Sequence, residues 1–263
     1  GGTDGNVDVD RSTDVPSGQG FFYSQKISMD ASESSLGAAD QVNIAQRFEG
    51  QNLQHLLKGT SSAKSLTLSF WVKSSVASTY SINLRDNDND RNIAATYVIN
   101  SANTWEKKTV TFAGDTTGAL DNDNARSLDL TFWLDNGTDW TGGTFGTSWA
   151  ANVNNTRAYA TTGWLVSTSP EWYITGVQLE VCEQATPFEH RSFGDELARC
   201  QRYYYKLIPG SGASGYASCN SNNTSRSDAI CHFPVTLRAI PTAVETTGVA
   251  ADYGCLTAGV NVN

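Results

Sequence analysis

Carboxylates and tryptophans supply the residue types and spacings here that could do chemistry. Asp86, Asp88 and Asp90 alternate within the run 85–90 (RDNDND), and alternating carboxylates resemble the opening of a calcium loop. Where that loop needs a glycine for its sharp turn the chain has Arg91, and where it needs a closing glutamate it has Tyr97. A helix–loop–helix calcium site is therefore excluded. Two readings stay open for Asp86, Asp88 and Asp90: a looser oxygen-ligand site for a structural calcium ion, and an Asx-rich β-turn that needs no metal. The run 121–124 (DNDN) has the same ambiguity.

Among the seven tryptophans, Trp140, Trp149 and Trp164 fall in a long glycine-bearing aromatic stretch, 135–169, and Trp71 and Trp105 sit in or beside strand patterns. An indole face packs well against the C–H face of a pyranose while its polar edge stays wet, so all five are candidate glycan-binding residues. The competing reading is core packing. Long loops in compact domains are uncommon and often functional, which makes 135–169 the first place to look for a binding surface.

Nothing else in the chain has the layout of a catalytic centre. His55, His190 and His232 are far apart, and none lies in an HExxH, Cys/His or serine-centred setting. The 27 acidic residues always allow some pair at glycosidase spacing, so such a pair discriminates nothing. Cys182, Cys200, Cys219, Cys231 and Cys255 match no CxxC or zinc spacing, and they read as reduced, partly buried thiols; Cys219 with Cys231 would make a local disulfide only outside a reducing cell.

The elements that must position these residues are β-strands. The chain has 263 residues, with 17% charged and 10% aromatic side chains and abundant Gly, Ser, Thr and Asn, a composition of short strands joined by turns. In the run 65–73, Leu66, Leu68, Phe70 and Val72 face one way and Thr67, Ser69, Trp71 and Lys73 the other, predicting one buried and one wet face. Further strands are expected at 21–29, 42–48, 80–84, 93–99, 105–112 and 127–134, the last with Leu128, Leu130, Phe132 and Leu134 inward. In the run 172–181, Tyr173, Thr175, Val177, Leu179 and Val181 fall on one side and Trp172, Ile174, Gln178 and Glu180 on the other, and Pro187 ends it. Ser192 and Asp195 have capping-box spacing, after which Leu197, Cys200 and Tyr204 form a helical stripe.

The net charge is −9, and no cluster of Lys or Arg appears, so neither a nucleic-acid backbone nor an anionic membrane surface is an expected partner. No run approaches the roughly 20 apolar residues of a membrane span. An acidic surface suits a particle-borne or secreted protein that must stay soluble. Beginning without Met, the chain reads as processed or as a piece of something longer.

Four long motifs occur in order: 65–75 (SLTLSFWVKSS), 103–124 (NTWEKKTVTFAGDTTGALDNDN), 172–181 (WYITGVQLEV) and 185–206 (ATPFEHRSFGDELARCQRYYYK). Together they resemble a family of bacteriophage virion proteins of the marine phage type, tail-fibre or appendage proteins with a jelly roll like that of carbohydrate-binding modules. The similarity spans about 11–206, and 233–242 (FPVTLRAIPT) resembles the β segment that often follows in that family. The resemblance implies a place on the virion, other virion proteins as partners, homo-oligomerisation (commonly a trimer) and host-surface glycan as ligand; it carries over no catalytic residue. Cys182 is a departure, since relatives often have Gly after the matching Val, and this puts the local turn in question.

The expected architecture is all-β. An extended arm (1–19) precedes an antiparallel jelly-roll β-sandwich (20–190), a connector helix (191–207) and a smaller β unit (208–263). Leu197, Cys200 and Tyr204 are expected to pack against the sandwich or against neighbouring subunits. The expected role is a non-enzymatic, adhesive virion protein. The alternatives are an architectural protein that binds only other virion proteins, and the carbohydrate-binding module of a polysaccharide-degrading enzyme.

Overall fold

The computed structural model describes residues 7–30, 32–33, 35–205, 219–223, 226–230, 232–240, 255–257 and 260–262. The chain divides into two units, Gly1–Glu189 and His190–Asn263. In the first unit, strands β1 (Val7–Ser12), β2 (Ser24–Met29), β3 (Gln41–Glu49), β4 (Leu66–Ser74), β5 (Thr79–Asp86), β6 (Arg91–Val98), β7 (Glu106–Phe112), β8 (Arg126–Asn136), β9 (Ala150–Ala151) and β10 (Glu171–Glu180) build two antiparallel five-stranded sheets. The first sheet has the order β1-β2-β10-β4-β7 and the second β3-β8-β5-β6-β9. This is the antiparallel jelly-roll β-sandwich that the strand periodicity calls for.

Period-two alternation fills the core from both sheets. Leu66, Leu68, Phe70 and Val72 of β4 meet Leu128, Leu130, Phe132 and Leu134 of β8, with Tyr80, Ile82 and Leu84 of β5 beside them. Phe70 locks the sheets together, meeting the Phe132 and Tyr97 rings edge-on at 5.1 Å each. The segment 51–58 makes two short 3-10 turns, Gly50–Asn52 and Gln54–Leu56, which bury Leu53 and Leu56.

Several sequence expectations change in three dimensions. The outer face of β4 is not wet: Thr67, Ser69 and Lys73 are buried and only Trp71 is half-exposed. Thr67 Oγ1 donates to the Cys182 carbonyl at 2.8 Å, and Lys73 is capped by Asp14, so segments distant in sequence roof this face. Residues 7–12 are not part of a free arm but pair with β2 as an edge strand, from Val7 opposite Met29 to Ser12 opposite Ser24. Its exposed charged positions suit an edge that must not recruit further strands.

The alternation of 172–181 breaks in the middle. Trp172 and Ile174 face the core, but after a register shift between Thr175 and Gln178 the inward residue is Leu179, from the opposite parity. Gly176 sits at this bulge with φ +60, and a Cβ there would lie 2.5 Å from the Phe21 ring. An extra residue at a bulge flips the face that follows it, which a strict period-two reading cannot anticipate. Cys182 follows the strand without positive φ, so glycine is not required at that turn.

In the second unit, α2 (Phe193–Gln201), numbered after the one-turn helix α1 (Thr138–Thr141), is capped by Ser192, whose Oγ accepts from Asp195 N at 3.2 Å and donates to Asp195 Oδ2 at 2.6 Å. It ends at Gln201, shorter than expected, so Tyr204 lies beyond the helix; Leu197, Cys200 and Tyr204 are all exposed. The segment after the helix returns to its end, where Arg238 N donates to Arg202 O at 3.0 Å. Hairpins β11–β12 (Cys219–Asn223 and Arg226–Ala229) and β13–β14 (Cys255–Thr257 and Val260–Val262) supply the β content of this unit. The end of the 233–242 segment, at 241–242, and Cys231 of the Cys219–Cys231 pairing lie outside the described residues.

Gly176→Ala should lower the unfolding free energy by about 1–3 kcal/mol, because an alanine there combines a left-handed backbone with a ring clash. Equilibrium urea denaturation measures this, and an unchanged midpoint would mean the bulge tolerates a side chain.

Candidate functional site

The segment after β8 is anchored at both ends. At its start, Asp135 accepts from Thr162 N, Leu165 N and Asn136 N at 2.8–3.0 Å, and Trp164 is driven fully into the core. Toward its middle, β9 pairs with β6, and Trp149 donates its indole N–H to Ala113 O at 2.7 Å. Between these anchors the chain folds over the outer face of the second sheet. Ala94 N donates to Gly146 O at 2.7 Å, and Tyr159 N to Ser81 Oγ at 3.2 Å.

Under that cover lies a polar floor, because outward positions of β8, β5 and β6 align in register: Asp129, Arg85 and Asn92 in one rank, Thr131, Asn83 and Ala94 in the next, Trp133, Ser81 and Thr96 in the third. Trp133 donates its indole N–H to Asn83 Oδ1 at 2.8 Å. Trp140 packs on Trp133 at 5.3 Å between ring centroids, and the Arg157 guanidinium lies over both rings, at 5.2 and 5.8 Å. Burial pushes Arg157 down to about 10, with Arg85 and Arg126 adding repulsion and Asp129 and Asp90 partly offsetting it. Phe145 meets Tyr159 edge-on at 5.4 Å, and the Tyr159 ring is half-exposed. The result is an aromatic and cationic surface whose buried polar groups include unpartnered atoms: Asn83 Nδ2, Arg85 Nε, Asn92 Oδ1 and Arg157 Nε.

The five candidate tryptophans do not form one platform. Trp140 belongs to this surface. Trp149 is half-buried near the rim, with the Lys58 ammonium 5.3 Å from its ring centre. Trp164 is fully buried and cannot stack on a sugar; its place in the loop hid the fact that it plugs the core. Trp71 and Trp105 lie on the outer face of the opposite sheet, where Trp105 donates to Asp14 Oδ1 at 2.8 Å and meets Tyr173 at 6.2 Å. On that face Lys73 is held by Asp14 with the Tyr173 ring 4.2 Å away, and Lys26 pairs with Glu171 at 2.5 Å. There the Lys73–Asp14 and Lys26–Glu171 charges satisfy one another. Sequence reasoning passed over Trp133 and Arg157. The alternation of β8 places Trp133 outward, but Arg157 sits in an irregular stretch with no periodic signal.

Asp86, Asp88 and Asp90 do not converge. Asp86 is buried and accepts from Lys58 Nζ at 2.5 Å and from the backbone of Asp88 and Asn89; Asp88 accepts from Asp121 N; Asp90 pairs with Arg85 at 3.0 Å. The Lys58 ammonium, which also reaches Asp115 at 3.1 Å and the carbonyls of Thr117 and Gly118 at 2.9 and 2.8 Å, sits where a cation at Asp86 would have to be. Among the described residues, no group of His, Cys, Asp or Glu side chains could hold a metal ion. Nor is there among them a helix long and apolar enough to cross a membrane. A cavity of about 280 Å³ beside Leu36, Gly137, Thr138 and Val166 carries one carboxylate, Asp135. An acid pair opposed across a cleft is not what it offers.

No protein-family model matches the chain, and no curated protein matches it in sequence. Solved structures show slight similarity at low identity. A family 11 carbohydrate-binding module of a cellulosomal cellulase of Clostridium thermocellum is 13% identical with a TM-score of 0.35, over 69% of this chain and 85% of that one. The module TmCBM61, solved with β-1,4-galactotriose, is 8% identical with a TM-score of 0.35, over 68% of this chain and 90% of that one. The enzymatically active domain of tailspike protein 4 of bacteriophage CBA120 is 15% identical with a TM-score of 0.36, over 67% of this chain but only 18% of that one. Likeness this slight bears on neither ligand nor role.

Lys58→Ala should destabilise the protein by about 3–5 kcal/mol, since it leaves the buried Asp86 carboxylate without its cation; a chelator should leave the melting temperature of the unaltered protein unchanged. Thermal denaturation checks both. Acid sensitivity follows from Glu106 and Asp115. Burial pushes Glu106 up, but bonds from Lys108, Ser101 and Asn100 prevail and bring it from 4.5 down to about 2. Burial also opposes Asp115, and Arg91 and Lys58 outweigh it to hold that carboxyl low. A depressed folded value means stability that is present above the unfolded value and lost as pH falls through the folded one. Unfolding free energy should therefore be flat near neutrality and fall below about pH 4.5. Glu106→Gln should flatten that fall.

Proposed function

We propose that this chain is a non-enzymatic glycan-binding module of a bacteriophage appendage or tail fibre, and that it meets host-surface glycan through the surface built on Trp140, Arg157 and Tyr159. The observation that carries this reading is the aromatic cover laid over a polar, incompletely hydrogen-bonded sheet face. Sugar recognition needs both features, apolar ring faces to stack on and hydrogen-bonding groups not already committed to one another. The opposite sheet face has aromatics too, but the lysines beside them, Lys26 and Lys73, are each paired with a carboxylate. Placement on a virion is supported by the ordered motifs at 65–75, 103–124, 172–181 and 185–206.

A second reading, assembly with other virion proteins or with further copies of this chain, is favoured by one observation. Phe193, Leu197, Tyr203 and Tyr204 stand 82%, 42%, 55% and 65% exposed at and just after α2. Apolar side chains clustered on one short segment are the usual material of a protein contact. The two readings are compatible, since an oligomer multiplies weak sugar contacts. As the carbohydrate-binding module of an enzyme, the chain would keep the sugar site and have no need of that contact.

On a glycan array the whole chain should bind saturably. Trp140→Ala and Tyr159→Ala should weaken binding about tenfold or more, as loss of a stacking aromatic does, while Trp105→Ala leaves it intact. No binding by the folded protein would remove the adhesive reading. Light scattering should give a mass above that of the 28.3 kDa chain, commonly a trimer, that falls on Leu197→Asp; a monodisperse monomer would remove the assembly reading.

A further inference from the structure

Charge in this region is unevenly matched. Arg126 pairs with Asp129 through its Nε at 2.7 Å, and Arg85 with Asp90 at 3.0 Å. Arg157, the remaining cation of the cluster, has no carboxylate partner among the described residues, although the chain carries 27 acidic against 18 basic side chains. The Arg157 guanidinium carbon lies 5.2 and 5.8 Å from the two indole centres and its Nε is buried without a partner; the planar fork of a guanidinium matches a carboxylate or sulfate oxygen pair. Burial favours a further anion: desolvation and the neighbouring Arg85 and Arg126 charges disfavour the Arg157 cation more than the more distant Asp129 and Asp90 carboxylates support it.

The floor supplies an independent observation. Asn83 and Asn92, 0% and 1% exposed, lie on the same outer sheet face beneath the same cover, and Asn83 Nδ2 and Asn92 Oδ1 have no partner. Asn83 is tied to the stack above it, because Trp133, on which Arg157 lies, donates to Asn83 Oδ1. Buried amides left open in this way are the groups that hold ordered water or ligand hydroxyls in a sugar site.

We propose that Arg157, braced on Trp133 and Trp140, anchors the anionic substituent of an acidic glycan, a uronate carboxylate or a sulfate ester, above the buried Asn83 and Asn92 amides. This rests on the glycan-binding reading above and narrows its ligand to acidic sugars. It also assigns the job of cation to the arginine of the Arg85, Arg126 and Arg157 cluster that pairs with no carboxylate.

The test is a calorimetric titration of the whole chain with oligogalacturonate, a sulfated galactan oligosaccharide and a neutral galactan oligosaccharide of equal length, at low and at raised salt. The expected result is at least tenfold tighter binding to one of the acidic ligands than to the neutral one, weakening with salt. Which acidic ligand binds identifies the anion. Arg157→Gln should remove that preference, bringing the acidic-to-neutral affinity ratio down to about one. A preference that survives Arg157→Gln, or equal affinity for acidic and neutral ligands, overturns this inference while leaving the glycan-binding reading standing; no binding to any ligand here or on the array overturns both. If Arg157→Gln melts early, Arg157→Lys keeps the charge and removes the planar fork. The acidic-to-neutral ratio should still drop several-fold, and an unchanged ratio counts against the proposal.

Discussion

The rim of this sandwich depends on one buried ammonium. Lys58 Nζ lies within reach of Asp86, Asp115 and the Thr117 and Gly118 carbonyls, with the Trp149 ring close by. It thereby joins the loop before β4, the β5–β6 turn, the β7–β8 connection and the long segment after β8. Arg91 extends the network, holding Asp115 through Nε at 2.8 Å and the Trp149 carbonyl at 3.3 Å. Such a pairing contributes little against a well-packed apolar substitute, but removing one member strands the others, so it acts as a latch that specifies one arrangement.

The candidate site inherits its position from that latch. Trp149 and β9 are fixed to the rim, Trp164 and Leu165 to the core, and the residues between them cross the outer face of the second sheet. Arg157, Ala158 and Tyr159 arrive over Trp133 and Ser81 because both ends of the crossing are tied down. A loop held this way is closer to a rigid ligand platform than to a mobile lid, and preorganised groups bind with less loss of conformational entropy.

The two outer faces show how similar residues reach different ends. On the first sheet Lys73, Asp14, Trp105, Tyr173, Lys26 and Glu171 form a closed set of ion pairs and ring contacts. On the second sheet the aromatics are comparable, but an arginine and the amides beneath it are left open. Aromatic content alone does not distinguish them. What distinguishes them is whether the polar groups have already satisfied one another, and that is a property of register and loop path.

The amino-acid sequence by itself determined the layers. Alternation in 65–73 and 127–134 set the inward faces of β4 and β8, turn-forming residues set strand lengths, and Ser192 with Asp195 set the start of α2, because each of these rests on neighbours a few positions apart. The tertiary structure alone decided the rest. The bulge at Gly176 reverses the phase of β10, residues 7–12 become an edge strand only because β2 offers an edge, and α2 stops at Gln201 before the tyrosines. Trp164 and Trp140 lie in the same loop, yet one fills the core and the other faces out. Asp86 reads as a metal ligand until Lys58, 28 positions away, is seen to hold it. Arg157 could not be found by pattern, since its role comes from the distant Trp133 and Trp140 and from carboxylates already engaged elsewhere. Periodicity reports which way a side chain points; only the folded chain reports what it meets there.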